Sequence, residues 1–90
     1  MPATHHELVL PDLGLADVSV VASAWHVEQG EEVTAGDRLL EVVAGSVTVD
    51  LPAPASGTLI EILVQEDDEL TVGQVLAVVL APEDEEPGEI

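Results

Sequence analysis

The 90-residue chain has no cysteine, no lysine, no tyrosine and no phenylalanine, and it has one arginine, Arg38, and one tryptophan, Trp25. Without cysteine there is no disulfide framework, no thiolate metal site and no redox switch, which fits a reducing compartment. One cation against 19 acids gives a formal net charge of −18. A chain so charged is repelled by nucleic acid phosphates and by anionic membrane surfaces, so neither is expected as a partner. No apolar run approaches bilayer-spanning length, and residues 1–7 lack the basic start and apolar core of a secretion signal, so the default expectation is a cytoplasmic protein.

Valine, leucine and alanine dominate the apolar content, and β-branched residues recur in short runs, which predicts an all-β chain. Ninety residues suffice for one small domain with a thin core. In residues 5–10, His6, Leu8 and Leu10 alternate with Glu7 and Val9, predicting a short strand that stops at Pro11. Residues 18–27 read as a longer strand with one face buried, on which Trp25 is a core side chain or a partly buried strand-end anchor. Leu40, Val42 and Ala44 lead into Gly45-Ser46, after which Val47, Val49 and Leu51 alternate with Thr48 and Asp50. Glycine at the first central position suits a type II′ hairpin turn. Pro52-Ala53-Pro54-Ala55-Ser56-Gly57 then ends the pairing and carries the chain across, and residues 58–64 and 75–80 read as strands separated by a charged turn over 65–69. The domain is expected to occupy residues 1–81, and residues 82–90, ending Glu83-Asp84-Glu85-Glu86-Pro87-Gly88-Glu89-Ile90, read as a disordered acidic tail.

An internal repeat is visible at an offset of 37 residues: Glu32-Val33-Thr34-Ala35-Gly36 followed by Leu39 matches Glu69-Leu70-Thr71-Val72-Gly73 followed by Leu76. Two similar halves predict a quasi-symmetric sandwich or barrel, because a two-fold pair of small sheets buries the apolar face of each half against the other. A period present only twice is too short for a solenoid or propeller.

Four segments together carry a family resemblance: Pro11-Asp12-Leu13-Gly14, the run Trp25-His26-Val27-Glu28-Gln29-Gly30-Glu31, the crossover Pro52-Ala53-Pro54-Ala55-Ser56-Gly57, and the finish Val72-Gly73-Gln74-Val75-Leu76-Ala77-Val78. Across residues 7–80 the chain resembles the biotinyl/lipoyl carrier domains, above all the lipoyl domains of 2-oxo acid dehydrogenase acyltransferases. The resemblance implies a flattened β-barrel or barrel-sandwich hybrid of two four-stranded antiparallel sheets with pseudo-two-fold symmetry, the attachment hairpin lying at the opposite end from the termini. It also implies a cofactor, lipoate or biotin, in amide linkage to a lysine at the hairpin tip.

Here the family's Glu-Thr-Asp-Lys-Ala falls on Val43-Ala44-Gly45-Ser46-Val47, which places Ser46 at the attachment position. A hydroxyl does not replace the amine, because an unactivated alcohol is a far weaker nucleophile toward an acyl adenylate near neutral pH. No lysine elsewhere substitutes. A laboratory Lys→Ser change would have left the flanking Asp, Ala and Glu in place, whereas natural divergence explains Val43, Gly45, Ser46 and Val47 together. No cofactor is therefore expected, and restoring Asp-Lys-Ala at 45–47 is expected to recreate a lipoylation substrate.

Other features are weighed against plainer readings. A turn serine can carry phosphopantetheine, but the recognition element of acyl carrier proteins is helical and nothing here predicts a helix. Glu66-Asp67-Asp68-Glu69 lacks the spacing of a calcium loop and reads as a solvated turn. His5, His6 and His26 are metal ligands or bases by type, yet a catalytic reading also needs a nucleophile, an orienting acid and a cleft, and the one adjacent pair, His5-His6, lies at a terminus expected to fray, so neither a catalytic nor a metal site is expected. The resulting expectation is a monomeric, non-catalytic, unmodified lipoyl-like domain acting in protein interaction or assembly. Its partner surface is Leu13, Gly14, Leu15, Ala16 and Asp17 with Ala44, Gly45 and Ser46 at the tip, and its partners are basic surfaces such as those of 2-oxo acid dehydrogenase subunits. Two other expectations stand beside it: a swinging-arm acyl or carboxyl carrier with an unusual attachment at the tip, and a free-standing scaffold whose acidic tail recruits a basic partner.

Overall fold

The computed structural model describes residues 3–15 and 17–82. It contains eight strands: β1 (Ala3–Val9), β2 (Val20–Trp25), β3 (Glu32–Val33), β4 (Arg38–Ala44), β5 (Val47–Pro52), β6 (Gly57–Ile62), β7 (Glu69–Leu70) and β8 (Val75–Pro82). Among the described residues there is no helix, as the valine-rich, alternating sequence requires. The strands form two four-stranded antiparallel sheets, one in the order β1-β8-β6-β3 and the other β5-β4-β2-β7. Leu10, Leu39, Leu40, Val42, Leu59, Leu76 and Val79 are the largest side chains sealed between them, each contributing about 1.5–3 kcal/mol by leaving water.

The 37-residue repeat is the symmetry of the fold. It carries β2 onto β6, β3 onto β7 and β4 onto β8, so one sheet order maps onto the other with β5 falling on β1. Backbone bonds repeat with it: Gly30 N–H donates to Leu59 O at 2.7 Å and Asp67 N–H to Ala22 O at 2.7 Å. The register shift of β2 against β4 between Ala22 and Ala24 recurs between Leu59 and Glu61 of β6 against β8. Such bulges bend and twist a strand, and here each half bends at the same place.

Strand limits depart modestly from expectation. β2 is shorter than 18–27 because Val18 and Ser19 are exposed ahead of the ladder. Pro52 does not end the pairing but sits in it, opposite Arg38. β5 is an edge strand with solvent on one side, where a missing N–H goes unnoticed. Of the expected acidic tail, residues 83–90 lie outside the described residues.

Candidate functional site

The β4–β5 hairpin carries the positions singled out by the sequence. Ala44 pairs with Val47, leaving Gly45 and Ser46 as a two-residue turn. Gly45 has φ of +62° and Ser46 does not share the positive sign, which is the type II′ pattern. Ser46 is exposed, so its hydroxyl meets solvent at the extremity of the hairpin.

The loop after β1 comes to this tip. Gly14 N–H donates to Asp12 Oδ1 at 2.8 Å, closing the Pro11-Asp12-Leu13-Gly14 turn, and Gly14 and Asp17 both adopt positive φ. Leu13 and Leu15 are half-buried and pack against the core, which pins the loop beside Val20 and Leu70. The chain then delivers Val18 to the turn: a Cβ built on Gly45 would lie 3.3 Å from Val18 Cγ1. Exposed Val18 and Val47 thus flank Gly45-Ser46.

Two expected partner residues fare differently. Ala44 is only 2% exposed and belongs to the core, so its side chain offers nothing to a partner. It lies on the inward face of the alternating strand, a consequence of period-2 geometry one residue before the turn. Ala16 lies outside the described residues. Gly14, Asp17, Gly45 and Ser46 are exposed. The turn also bears on restoring Asp-Lys-Ala: an aspartate at 45 meets a left-handed backbone and the Val18 methyl, so that replacement is strained where Ser46→Lys is not.

The remaining motifs are structural. Trp25, at the end of β2, donates from Nε1 to Val64 O at 3.1 Å and packs its ring on the core, an anchor as expected. In the crossover, Ser56 Oγ accepts from Ala35 N–H at 2.8 Å, and Gly57 lies against the backbone of β8, where any Cβ would meet Ala81 Cα at 2.9 Å.

A polar group on the outer face of the β5-β4-β2-β7 sheet was not foreseen. His26 Nε2 lies 3.2 Å from Asp50 Oδ1, Arg38 Nη1 donates to Asp50 Oδ2 at 3.4 Å, and Ser23 Oγ donates to Glu41 Oε2 at 3.1 Å. Part of this was available from sequence, since a two-residue turn at 45–46 sets Glu41 opposite Asp50. The position of His26 required the third strand.

Known proteins resemble this chain in both sequence and fold. A profile of the family described as biotin-requiring enzyme matches residues 6–79. The chain is 36% identical over 81 residues to the dihydrolipoyllysine-residue acetyltransferase component of the acetoin cleaving system of Pseudomonas putida, covering 90% of this chain and 22% of that protein. It is 35% identical over 71 residues to the acetyltransferase component of the pyruvate dehydrogenase complex of Corynebacterium glutamicum, covering 79% of this chain and 10% of that one. The chain therefore spans about a fifth or less of the length of these relatives. Among solved structures, the lipoyl domain of the 2-oxoglutarate dehydrogenase complex from Azotobacter vinelandii superposes with a TM-score of 0.63 at 23% identity, covering 82% of this chain and 90% of that domain. A single-chain long-chain acyl-CoA carboxylase superposes with a TM-score of 0.69 at 18% identity, covering 90% of this chain and 7% of that one.

Proposed function

The chain belongs to the biotinyl/lipoyl attachment-domain family, and on that premise we propose that it is an acyltransferase-type lipoyl domain that carries no cofactor on lysine and acts as a protein-interaction or assembly module. The observation that carries this reading is Ser46 at the exposed tip of the β4–β5 hairpin in a chain without lysine. Attachment by amide formation needs an amine, and the serine hydroxyl is too weak a nucleophile to replace it. On this reading the domain by itself is non-catalytic, a carrier-type module rather than an active site.

The partner surface is the tip with its neighbouring loop: Gly45, Ser46 and Val47, flanked by Val18 and by Gly14 and Asp17. It combines exposed valines with the Asp17 carboxylate on a strongly acidic molecule, a combination that favours a basic rim around an apolar contact and makes association faster at low salt. Because relatives of this chain are components of 2-oxo acid dehydrogenase and acetoin-cleaving complexes, subunits of such complexes are the partners to test. The molecule is expected to be a monomer in the cytoplasm, and the domain to end near residue 81.

Intact-mass measurement of the protein from its own cells is expected to give the unmodified mass. A lipoyl, biotinyl or phosphopantetheinyl increment would sink the proposal and favour a carrier with an unusual linkage. A companion variant, Ser46→Lys with Gly45 retained, is expected to gain one lipoyl group from a lipoate ligase. A folded Ser46→Lys domain that no ligase accepts would show that Ser46 does not occupy the attachment position.

A further inference from the structure

The group on the outer face of the β5-β4-β2-β7 sheet has a chemistry that the attachment fold does not require. Glu41 and Asp50 are directly opposed across β4 and β5, and like charges so placed destabilise a sheet. Both carboxylates are half-buried, so solvent screens them incompletely. The cation supplied by the protein is Arg38, which among the described residues reaches Asp50 Oδ2, at 3.4 Å, and whose side chain is 74% exposed. Two opposed carboxylates are thus left with one loosely held counter-charge.

The other half of the molecule shows that this arrangement is a choice. Under the pseudo-two-fold, Ser23 corresponds to Ile60, His26 to Leu63, Arg38 to Val75 and Glu41 to Val78, while Asp50 corresponds to Glu7, which β1 sets opposite Val78. The same bulged strands in the other sheet therefore tolerate aliphatic residues at four of the five positions.

We propose that His26, Glu41 and Asp50 form a binding site for a borderline first-row divalent cation of the Zn2+ type on this face. One ligand atom from each of the three lies within 4.8 Å of the others. The 3.2 Å separation of His26 Nε2 from Asp50 Oδ1 is close to the roughly 3.3 Å between two donors at about 2.0–2.1 Å from one tetrahedral metal. Each carboxylate has one oxygen engaged by a neighbouring side chain: Arg38 Nη1 donates to Asp50 Oδ2 at 3.4 Å while Oδ1 lies beside His26 Nε2, and Ser23 Oγ donates to Glu41 Oε2. That is the second-layer hydrogen bonding that fixes ligands around metals. The carboxylates accept many divalent ions, and the imidazole is what favours Zn2+, Cu2+ or Ni2+ over Mg2+ and Ca2+, with solvent completing the coordination on the open side. The site is separate from the hairpin tip, and the proposal stands whether or not the domain is modified.

The test is a calorimetric titration of the full chain with Zn2+, followed in parallel by backbone and histidine-ring NMR. Because His5 and His6 at the start of the chain also attract Zn2+, the comparison includes a His5→Ala/His6→Ala variant. The expected result is one ion per chain at the sheet, with resonances of His26, Glu41 and Asp50 moving together. His26→Ala and Glu41→Gln each weaken binding at least about tenfold, and the His5→Ala/His6→Ala variant binds at this site as the parent does. His5, His26 and Glu41 are exposed or outward-facing, whereas His6 is half-buried on the Leu8 face of β1, so unchanged core resonances are the check that each variant is folded. Affinity that survives His26→Ala, binding lost only with His5 and His6, or equal occupancy by Ca2+ would overturn the proposal, as would the absence of any binding at millimolar Zn2+.

Discussion

Gly57 and Ser46 show how differently single residues contribute. Gly57 is surrounded by the β8 backbone, with Ala81 Cα 2.9 Å from where its Cβ would stand, so the crossover can approach the opposite strand only with a hydrogen at that position. Gly57→Ala is expected to destabilise the domain by about 1–3 kcal/mol, the usual cost of forcing an extra carbon into packed structure, measured as a lower midpoint in urea. Ser46 lies exposed on the turn, and Ser46→Ala is expected to change stability by less than about 0.5 kcal/mol. The glycine was recognisable in the sequence as the end of a proline-rich crossover, but not its reason, because the atoms that forbid a side chain come from residues more than twenty positions away. The tip serine was fully recognisable, since a two-residue turn is specified by its own residues.

Paired elements repeat their internal bonding. In the turn leading into β4, Thr34 N–H donates to Asp37 Oδ2 at 2.9 Å, and in the equivalent turn leading into β8, Thr71 N–H donates to Gln74 Oε1 at 2.9 Å. Asp37→Ala and Gln74→Ala are each expected to cost about 0.5–1.5 kcal/mol in chemical denaturation. The two turns feed opposite ends of the molecule, so the double variant should lose the sum of the two within about 0.5 kcal/mol. A clear departure from additivity would mean that the halves are more tightly coupled than two stacked sheets imply. The offset of 37 residues announced these turns, while the bulges that accompany them at Ala22/Ala24 and Leu59/Glu61 left no mark in the hydrophobic pattern. A bulge adds one residue to one strand, and alternation over so few positions does not register it.

For the molecule as a whole, charge is the main influence on stability beyond the core. A net charge of −18 on 90 residues repels itself in the compact state more than in the expanded chain. Raising sodium chloride from about 0.01 M to 0.5 M shortens the Debye length from roughly 30 Å to below 10 Å, so the thermal midpoint is expected to rise by several degrees, read by the fluorescence of Trp25. A fall or no change would show that Arg38 and local hydrogen bonds already balance the field. The same field concentrates cations at any pair of carboxylates the sheet brings together, which links this scale to the His26, Glu41 and Asp50 group.

What the sequence determined by itself was everything encoded by local order: all-β character from valine alternation, the two-fold plan from the 37-residue repeat, and the hairpin from Gly45-Ser46. That the tip carries no lysine was equally plain, since a residue type missing from the sequence is missing from every site. The tertiary structure decided what depends on distance between distant segments. It turned Ala44 inward, one residue before the exposed turn, brought Val18 against Gly45, and seated Pro52 on an edge where its missing donor is harmless. It also placed His26 of the segment after β2 beside Asp50 of β5, because sheet order, unlike hairpin register, is set by which apolar faces can close over a common core.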